Sequence, residues 1–182
     1  LSESRGGVSD VVAGRQDSNL FRKGLATTLN RLAEAQSGAG LIEKSRDTVE
    51  DAATIWSSLV ASDKDRPDYL SGRAASLLNL MAAEGYLGHE DQELVACDGA
   101  IDDYRALVDV TGDVPRHRLN LGLTVVNLAR VNNRLGNNRF AHEAAILAER
   151  QLWDLIETLP LDREYLAEGS AAMSLRARIE SE

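Results

Sequence analysis

Apolar residues recur along the chain at the spacing of α-helices, and few positions interrupt them. Within residues 115–135, one broad apolar face is formed by Leu119, Val125, Val126, Leu128 and Leu135. Only 3 of the 182 residues are proline, the residue that most often breaks a helix. The pattern predicts an all-α fold with seven helices, at about 17–38, 41–61, 66–87, 90–110, 115–135, 138–158 and 162–181.

The predicted helices form pairs, because the sequence repeats every 48 residues. The matching columns are Gly40, Gly88 and Gly136; Ala52, Ala100 and Ala148; Leu59, Leu107 and Leu155; Leu32, Leu80 and Leu128; and the aromatic column Phe21, Tyr69, His117 and Tyr165. Agreement in so many columns indicates a tandem array. Each unit would be a hairpin of two helices, which we name its first and second helix.

Local signals mark where the helices begin and end. Asp65 and Asp113 stand two residues before Pro67 and Pro115, a pattern typical of a helix start. The glycine column ends each first helix, because glycine can take the left-handed conformation that stops one. A single hairpin cannot bury both of its apolar faces, so the hairpins are expected to stack into a solenoid.

The expected organisation is about three antiparallel hairpins plus a final helix. Residues 1–16 contain Gly6, Gly7 and Gly14 with little periodicity, and are predicted to be a linker or frayed lead-in. The helical repeat domain then covers 17–182, with repeats at about 17–64, 65–112 and 113–160 and a partial repeat at 161–182. Whether the chain ends in a cap or continues into a longer array stays open.

The first helices carry Asn79-Leu80 and Asn127-Leu128 ahead of their glycines, and the second helices carry small residues such as Ala100. This arrangement resembles the tetratricopeptide repeat (TPR), with an Asn-Leu-Gly/Ala signature on its first helix and small residues on its second. The usual TPR unit has about 34 residues. A 48-residue period adds nearly two turns to each helix, so the resemblance is to a long-helix variant. It implies a right-handed α-solenoid.

Composition excludes several classes of function. Acidic residues number 29 against 20 basic ones, a net charge of −9 that disfavours binding to nucleic acid or to anionic membrane surfaces. No apolar run approaches the ~20 residues of a membrane-spanning helix. The lone Cys97 cannot support a disulfide framework or a thiolate metal cluster. With no signal peptide visible, the expected location is cytoplasmic.

No pattern of catalytic or metal-binding residues stands out. His89, His117 and His142 lie in different hairpins, and no pair has the i,i+4 spacing of a helical zinc site. The acidic run at Asp98, Asp102 and Asp103 is interpreted as a solvated outer face. Trp56, Tyr104 and Trp153 are interpreted as core residues. We therefore expect a protein that is not an enzyme and uses no cofactor or metal.

Charge divides between the two classes of helix. The second helices of the three hairpins carry fifteen acidic and five basic residues. The first helices of the same three hairpins carry nine basic and four acidic residues. In the family that the chain resembles, first helices line a concave groove, which would here be basic. The candidate partner-binding residues are Arg31, Asn79, Asn127, Arg130 and Arg134. As an alternative, Asn127 bonds a neighbouring helix and the arginines pair with the acidic second helices.

These features predict a non-catalytic scaffold for protein–protein interaction, part of a larger regulatory protein, that binds a peptide or partner domain in the basic groove. An acidic or C-terminal-carboxylate segment would suit such a groove. Two other functions stay open. One is a sensor that encloses a small ligand in an apolar cavity. The other is a self-assembly element whose exposed apolar ends stack.

Overall fold

The computed structural model describes residues 4–112, 114–158 and 163–181. Within these ranges the chain forms α-helices joined by short turns, with no strand. The helices are α1 (Ser4–Gly38), α2 (Ile42–Ser62), α3 (Pro67–Leu87), α4 (Glu90–Thr111), α5 (Pro115–Arg134), α6 (Asn138–Thr158) and α7 (Arg163–Ser181). The all-α prediction is confirmed.

The helix boundaries match the predicted ones within one residue from the end of α1 onward, and the start of α1 does not. α1 begins at Ser4, whereas the sequence predicts a linker or frayed lead-in over 1–16 and a helix from about 17. Three glycines lower the helix propensity of this segment by about 1 kcal/mol each, but they do not block a helix as proline would. The first proline of the chain is Pro67.

Each hairpin turn is built in the same way. Gly40, Gly88 and Gly136 have φ values of 75°, 76° and 73°, the left-handed region that glycine enters without a steric penalty. The next residue in each turn donates its N–H to a carbonyl five residues back, at 2.9 Å in all three turns. This is the Schellman motif, which satisfies a free carbonyl at the end of the helix. The predicted glycine column therefore ends the first helices as expected.

The helix starts differ in one detail from the sequence signal. Pro67 and Pro115 occupy the first positions of α3 and α5, as predicted. The cap residues, however, are Arg66 and Val114, and neither makes a side-chain capping bond. Asp65 lies one residue too early to cap α3, so proline alone marks this start.

The core is formed by the repeated small and large apolar columns. Ala52, Ala100 and Ala148 are buried, as are Leu59, Leu107 and Leu155. All six lie on α2, α4 and α6. Alanine at these crossings allows close approach of the neighbouring helices, while leucine fills the wider gaps.

The helices pack as an α-solenoid of antiparallel hairpins. Each helix packs against its neighbours along the chain, and α1 also contacts α3, as α5 contacts α7. The first helices α1 and α3 therefore lie side by side, as do α5 and α7, while grooves separate α2 from α4 and α4 from α6. No helix in the described ranges is long and apolar enough to cross a membrane.

One predicted core residue is misplaced. Trp56 and Tyr104 are buried, but Trp153 is nearly half exposed. The position 48 residues after Tyr104 is Leu152, which is buried and takes the equivalent core site. Trp153 stands one residue further along α6, about 100° around the helix, and so points away from the core.

Candidate functional site

A groove of about 460 Å³ lies between α4 and α6, with α5 as its floor. We name it the α4–α6 groove. Val125 and Leu128 form the floor, and the walls include Leu94 and Ile101 from α4 and Phe140 and Leu147 from α6. α4 and α6 both pack on α5, and the groove runs between them.

Phe140 is the main apolar side chain at the lip of the groove. It is 62% exposed, although large aromatic residues ordinarily contribute to the core. It lies in the first turn of α6, directly after the turn at Gly136. Ala144, one helical turn later, is buried against the groove, and its small side chain leaves the space beside Phe140 open.

The groove is a product of the repeat. A second groove of about 370 Å³ lies between α2 and α4 over α3. Most of its lining residues stand 48 positions before lining residues of the α4–α6 groove, among them Glu50 before Asp98, Leu77 before Val125, Leu80 before Leu128, Gln92 before Phe140, and Ala96 before Ala144. Stacked hairpins thus create such a groove between consecutive second helices, and the side chains at its lip vary.

The rim of the α4–α6 groove is predominantly acidic. Asp98 and Glu143 line it, with Arg105 as the basic member. Arg105 lies 3.5 Å from a carboxylate oxygen of Asp102, one turn from Asp98. Burial and the charge of Asp102 raise the pKa of Asp98, and Arg105 opposes that shift. A positive charge placed at this rim would stabilise the ionised carboxylates.

The predicted partner-binding residues lie on the other side of the molecule. Arg31, Asn79 and Asn127 occupy one column across α1, α3 and α5, and we name the surface that carries them the first-helix face. Arg130 and Arg134 follow on the same side of α5, at the three- and seven-residue spacing of a helix. Arg31 and Arg130 are exposed, and Asn127 is half-buried.

Two of these five residues bond within the protein. The Asn79 side chain donates to the Glu34 carboxylate on α1, at 3.3 Å. The Arg134 guanidinium donates to the Glu93 carboxylate on α4, which is buried. For Arg134, the alternative prediction of pairing with an acidic second helix is confirmed.

Such pairs account for part of the charge division between the helix classes. Glu93 occupies the same repeat position as the small residues Ser45 and Ala141, and all three are buried. A buried carboxylate at this position needs a cation beside it. In the same way Arg73 of α3 donates to Asp103 of α4, with Nε 2.8 Å from Oδ2. Asp103 is buried, so the interpretation of the acidic run as a solvated face is wrong for this residue, whereas Asp98 and Asp102 are exposed. Basic first helices and acidic second helices are therefore held together by ion pairs.

The cavities near the predicted residues are smaller than the α4–α6 groove. One of about 190 Å³ lies beside Asn79 between α1 and α3. Another of about 220 Å³ lies between α5 and α7, where Arg130 and Arg178 line it. Two arginines at one small cavity would suit an anionic group, but the cavity offers little apolar surface to anchor a peptide side chain.

Two groups of residues bear on metal binding and on thiol chemistry in the described part of the chain. No three His, Cys, Asp or Glu side chains there come close enough to hold a metal ion. Cys97 is buried with its Sγ 3.8 Å from the Thr124 carbonyl oxygen, and burial raises the pKa of its thiol to about 12. A thiol with that pKa is not a nucleophile at neutral pH.

Comparison with known proteins assigns no family to the chain. No family model matches the sequence, and the search of curated proteins gives no match.

Proposed function

We propose that the protein is a non-catalytic interaction scaffold, a TPR-like array of long hairpins, and that the α4–α6 groove binds a peptide segment of a partner protein. The observation that carries the proposal is the groove itself, with its apolar floor and the exposed ring of Phe140 at its lip. Its volume of about 460 Å³ falls within the ~300–1,000 Å³ typical of binding sites. Aromatic side chains at such surfaces are frequent anchors of protein interfaces.

The chemistry of the groove favours a particular ligand. Val125, Leu128 and Leu147 offer an apolar surface for one or two large aliphatic or aromatic side chains. Asp98 and Glu143 at the rim favour lysine or arginine beside that anchor. The expected ligand is thus a segment with an apolar anchor and basic flanks.

This choice differs from the sequence-based expectation of an acidic ligand in a basic groove. Arg134 and Asn79 already bond to Glu93 and Glu34, and a ligand would have to compete with these bonds. Arg31 and Arg130 are exposed, so an acidic partner on the first-helix face stays a prediction. The groove also suits a peptide better than an enclosed small ligand, because Phe140 is exposed at its lip.

The test measures binding of labelled synthetic peptides by fluorescence anisotropy. Peptides of one length carry a Leu or Phe anchor, flanked by lysine in one series and by glutamate in the other. We expect the lysine series to bind with a micromolar Kd and the glutamate series to bind at least tenfold more weakly. A tenfold difference corresponds to about 1.4 kcal/mol.

Three variants locate the binding site. Phe140→Ser and Asp98→Lys should each weaken binding of the lysine series at least tenfold, because they remove the aromatic anchor and reverse a rim charge. Arg130→Glu, an exposed substitution on the first-helix face, is the matched control and should leave the Kd unchanged. Failure of both series to bind would refute the groove as a peptide site. Binding of the glutamate series alone, lost in Arg130→Glu, would move the site to the first-helix face.

A further inference from the structure

Helix α1 presents an apolar face to solvent. Leu20, Phe21, Leu25 and Leu32 are 69%, 73%, 41% and 47% exposed. They lie on one side of α1, and α2 and α3 pack against the other side, where Ala26 and Ala33 are buried. Large apolar residues grouped in this way on a surface usually mark an interaction site.

The exposed residues of α1 occupy the repeat positions through which α3 packs on the preceding hairpin. Phe21 and Gly24 stand 48 residues before Tyr69 and Gly72. At α3, the indole of Trp56 from α2 lies directly against Gly72, where an added Cβ would come within 2.5 Å of the ring. The same ring packs against Tyr69, with centroids 6.4 Å apart. This column is therefore a seat for an aromatic side chain.

In the described part of the chain, no side chain packs on Gly24, the equivalent glycine of α1. A Cβ on Gly24 would meet nothing within 4 Å. Glycine is unfavourable inside a helix, and at Gly72 the contact with Trp56 accounts for it. No such contact accounts for Gly24 within the described part of the chain. A ring from another molecule would fill the space that Gly24 leaves.

We propose that the face of α1 binds a second copy of the chain, with Phe21 of each copy seated over Gly24 of the other. Phe21 and Gly24 are three residues apart on the same side of the helix. An antiparallel two-fold pairing of α1 with its copy therefore places each ring on the other glycine. The same symmetry brings Leu20 against Leu25 of the partner copy.

Charges near the proposed axis do not oppose the pairing. Lys23 forms an ion pair with Asp68 at 2.7 Å, and the Arg22 guanidinium bonds to the Ser58 hydroxyl. Both basic groups are thus bonded to the protein's own α2 and α3 rather than left at the two-fold axis. Antiparallel α1 helices also align their dipoles favourably.

The size of the patch indicates a weak, reversible dimer. The four exposed side chains present on the order of 400 Å², comparable with the largest apolar patches on monomeric proteins. Two copies would bury on the order of 800 Å² of apolar surface. With flanking polar atoms the interface approaches the ~1,000 Å² expected of a specific but transient contact. The dimer does not depend on the α4–α6 groove, so the two proposals can fail separately.

Sedimentation velocity over about 1–200 µM protein, the range expected for a transient interface, tests the dimer. We expect the mean mass to rise from that of the monomer towards that of the dimer. Gly24→Leu should weaken association at least tenfold while the melting temperature stays unchanged or rises, because the seat is open in the monomer. Tyr86→Ser removes an exposed aromatic ring of α3 that lies outside both proposed sites, so it is the control and should associate like the original protein.

A swap variant tests the pairing itself. Phe21→Gly combined with Gly24→Phe exchanges ring and seat, so the two-fold contact is preserved, and association should recover relative to Gly24→Leu. A chain that stays monomeric over the whole range would overturn the proposal. So would association that Gly24→Leu leaves unchanged, or a folded swap variant that does not recover.

Discussion

Replacing Gly72 with alanine should destabilise the protein, whereas the same replacement at Gly24, one repeat earlier, should stabilise it. Both glycines lie in the interior of a first helix, at the same position of the 48-residue unit. Alanine is favoured over glycine inside a helix by about 1 kcal/mol. The two variants share this gain and differ in what the new methyl group meets.

At Gly24 an added Cβ meets nothing within 4 Å, so the full gain of about 1 kcal/mol is expected. At Gly72 it would lie 2.5 Å from two carbons of the Trp56 indole, about 1 Å inside the usual ~3.5–4.0 Å contact. Trp56 is buried and packs against Tyr69, so the ring cannot move alone. Overpacking costs about 1–3 kcal/mol, which leaves a net loss of about 1 kcal/mol for Gly72→Ala.

The assay is urea unfolding followed by tryptophan fluorescence and by far-ultraviolet circular dichroism. The protein concentration is kept at about 1 µM so that any weak association through α1 does not contribute. The unfolding free energies of Gly24→Ala and Gly72→Ala should differ by about 2 kcal/mol. A double variant, Trp56→Leu with Gly72→Ala, should cost less than the sum of the single variants, because the smaller side chain removes the clash. Equal shifts in both glycine variants would refute the packing of Trp56 on Gly72.

Three further predictions concern an ion pair, a thiol and a turn. Arg73→Met should cost about 3–5 kcal/mol because it leaves the buried Asp103 carboxylate unpaired, and adding Asp103→Leu should recover most of the loss in urea unfolding. Burial, with the charges of Asp98 and Glu93, raises the pKa of Cys97 to about 12, so a thiol reagent at pH 8 should modify it only as fast as the protein opens. The unfolded thiol ionises near its ordinary pKa of 9.0, so the Cys97 contribution to stability should fall as pH rises from there to about 12. Gly88→Ala should cost about 1–2 kcal/mol in the same unfolding assay, because alanine is strained at φ 76°. A rapid thiol reaction, or a loss below ~0.5 kcal/mol in either Arg73→Met or Gly88→Ala, would contradict the corresponding structural reasoning.

The repeated features were predictable because they depend on residues close together in sequence. The left-handed turns at Gly40, Gly88 and Gly136 require glycine whatever surrounds them, so the column located three helix ends. The buried alanine and leucine columns of the second helices were predictable for a similar reason, since helical periodicity places them on one face. The early start of α1 was missed because three glycines weaken the helical signal without preventing a helix.

The candidate site was less predictable. The sequence directed attention to Arg134 as a ligand contact, and the structure pairs it with Glu93, a residue 41 positions away on another helix. The α4–α6 groove was not predicted, although Phe140 gave a signal. Phe140 stands at the repeat position of Gln92 in the preceding unit, and it is a large apolar residue outside the core columns.

By itself, the sequence determined an array of equal helical hairpins, the residues that end the first helices and the columns that fill the core. These follow from backbone conformation and from a period of 3.6 residues, both of which act over a few neighbouring positions. Only the tertiary structure decided which arginines form ion pairs with buried carboxylates and where a groove lies between the second helices. It also decided that the surface beside Gly24 is open. Those outcomes depend on the distances between side chains on helices that are far apart in the chain, and the spacing of residues within one helix does not set these distances.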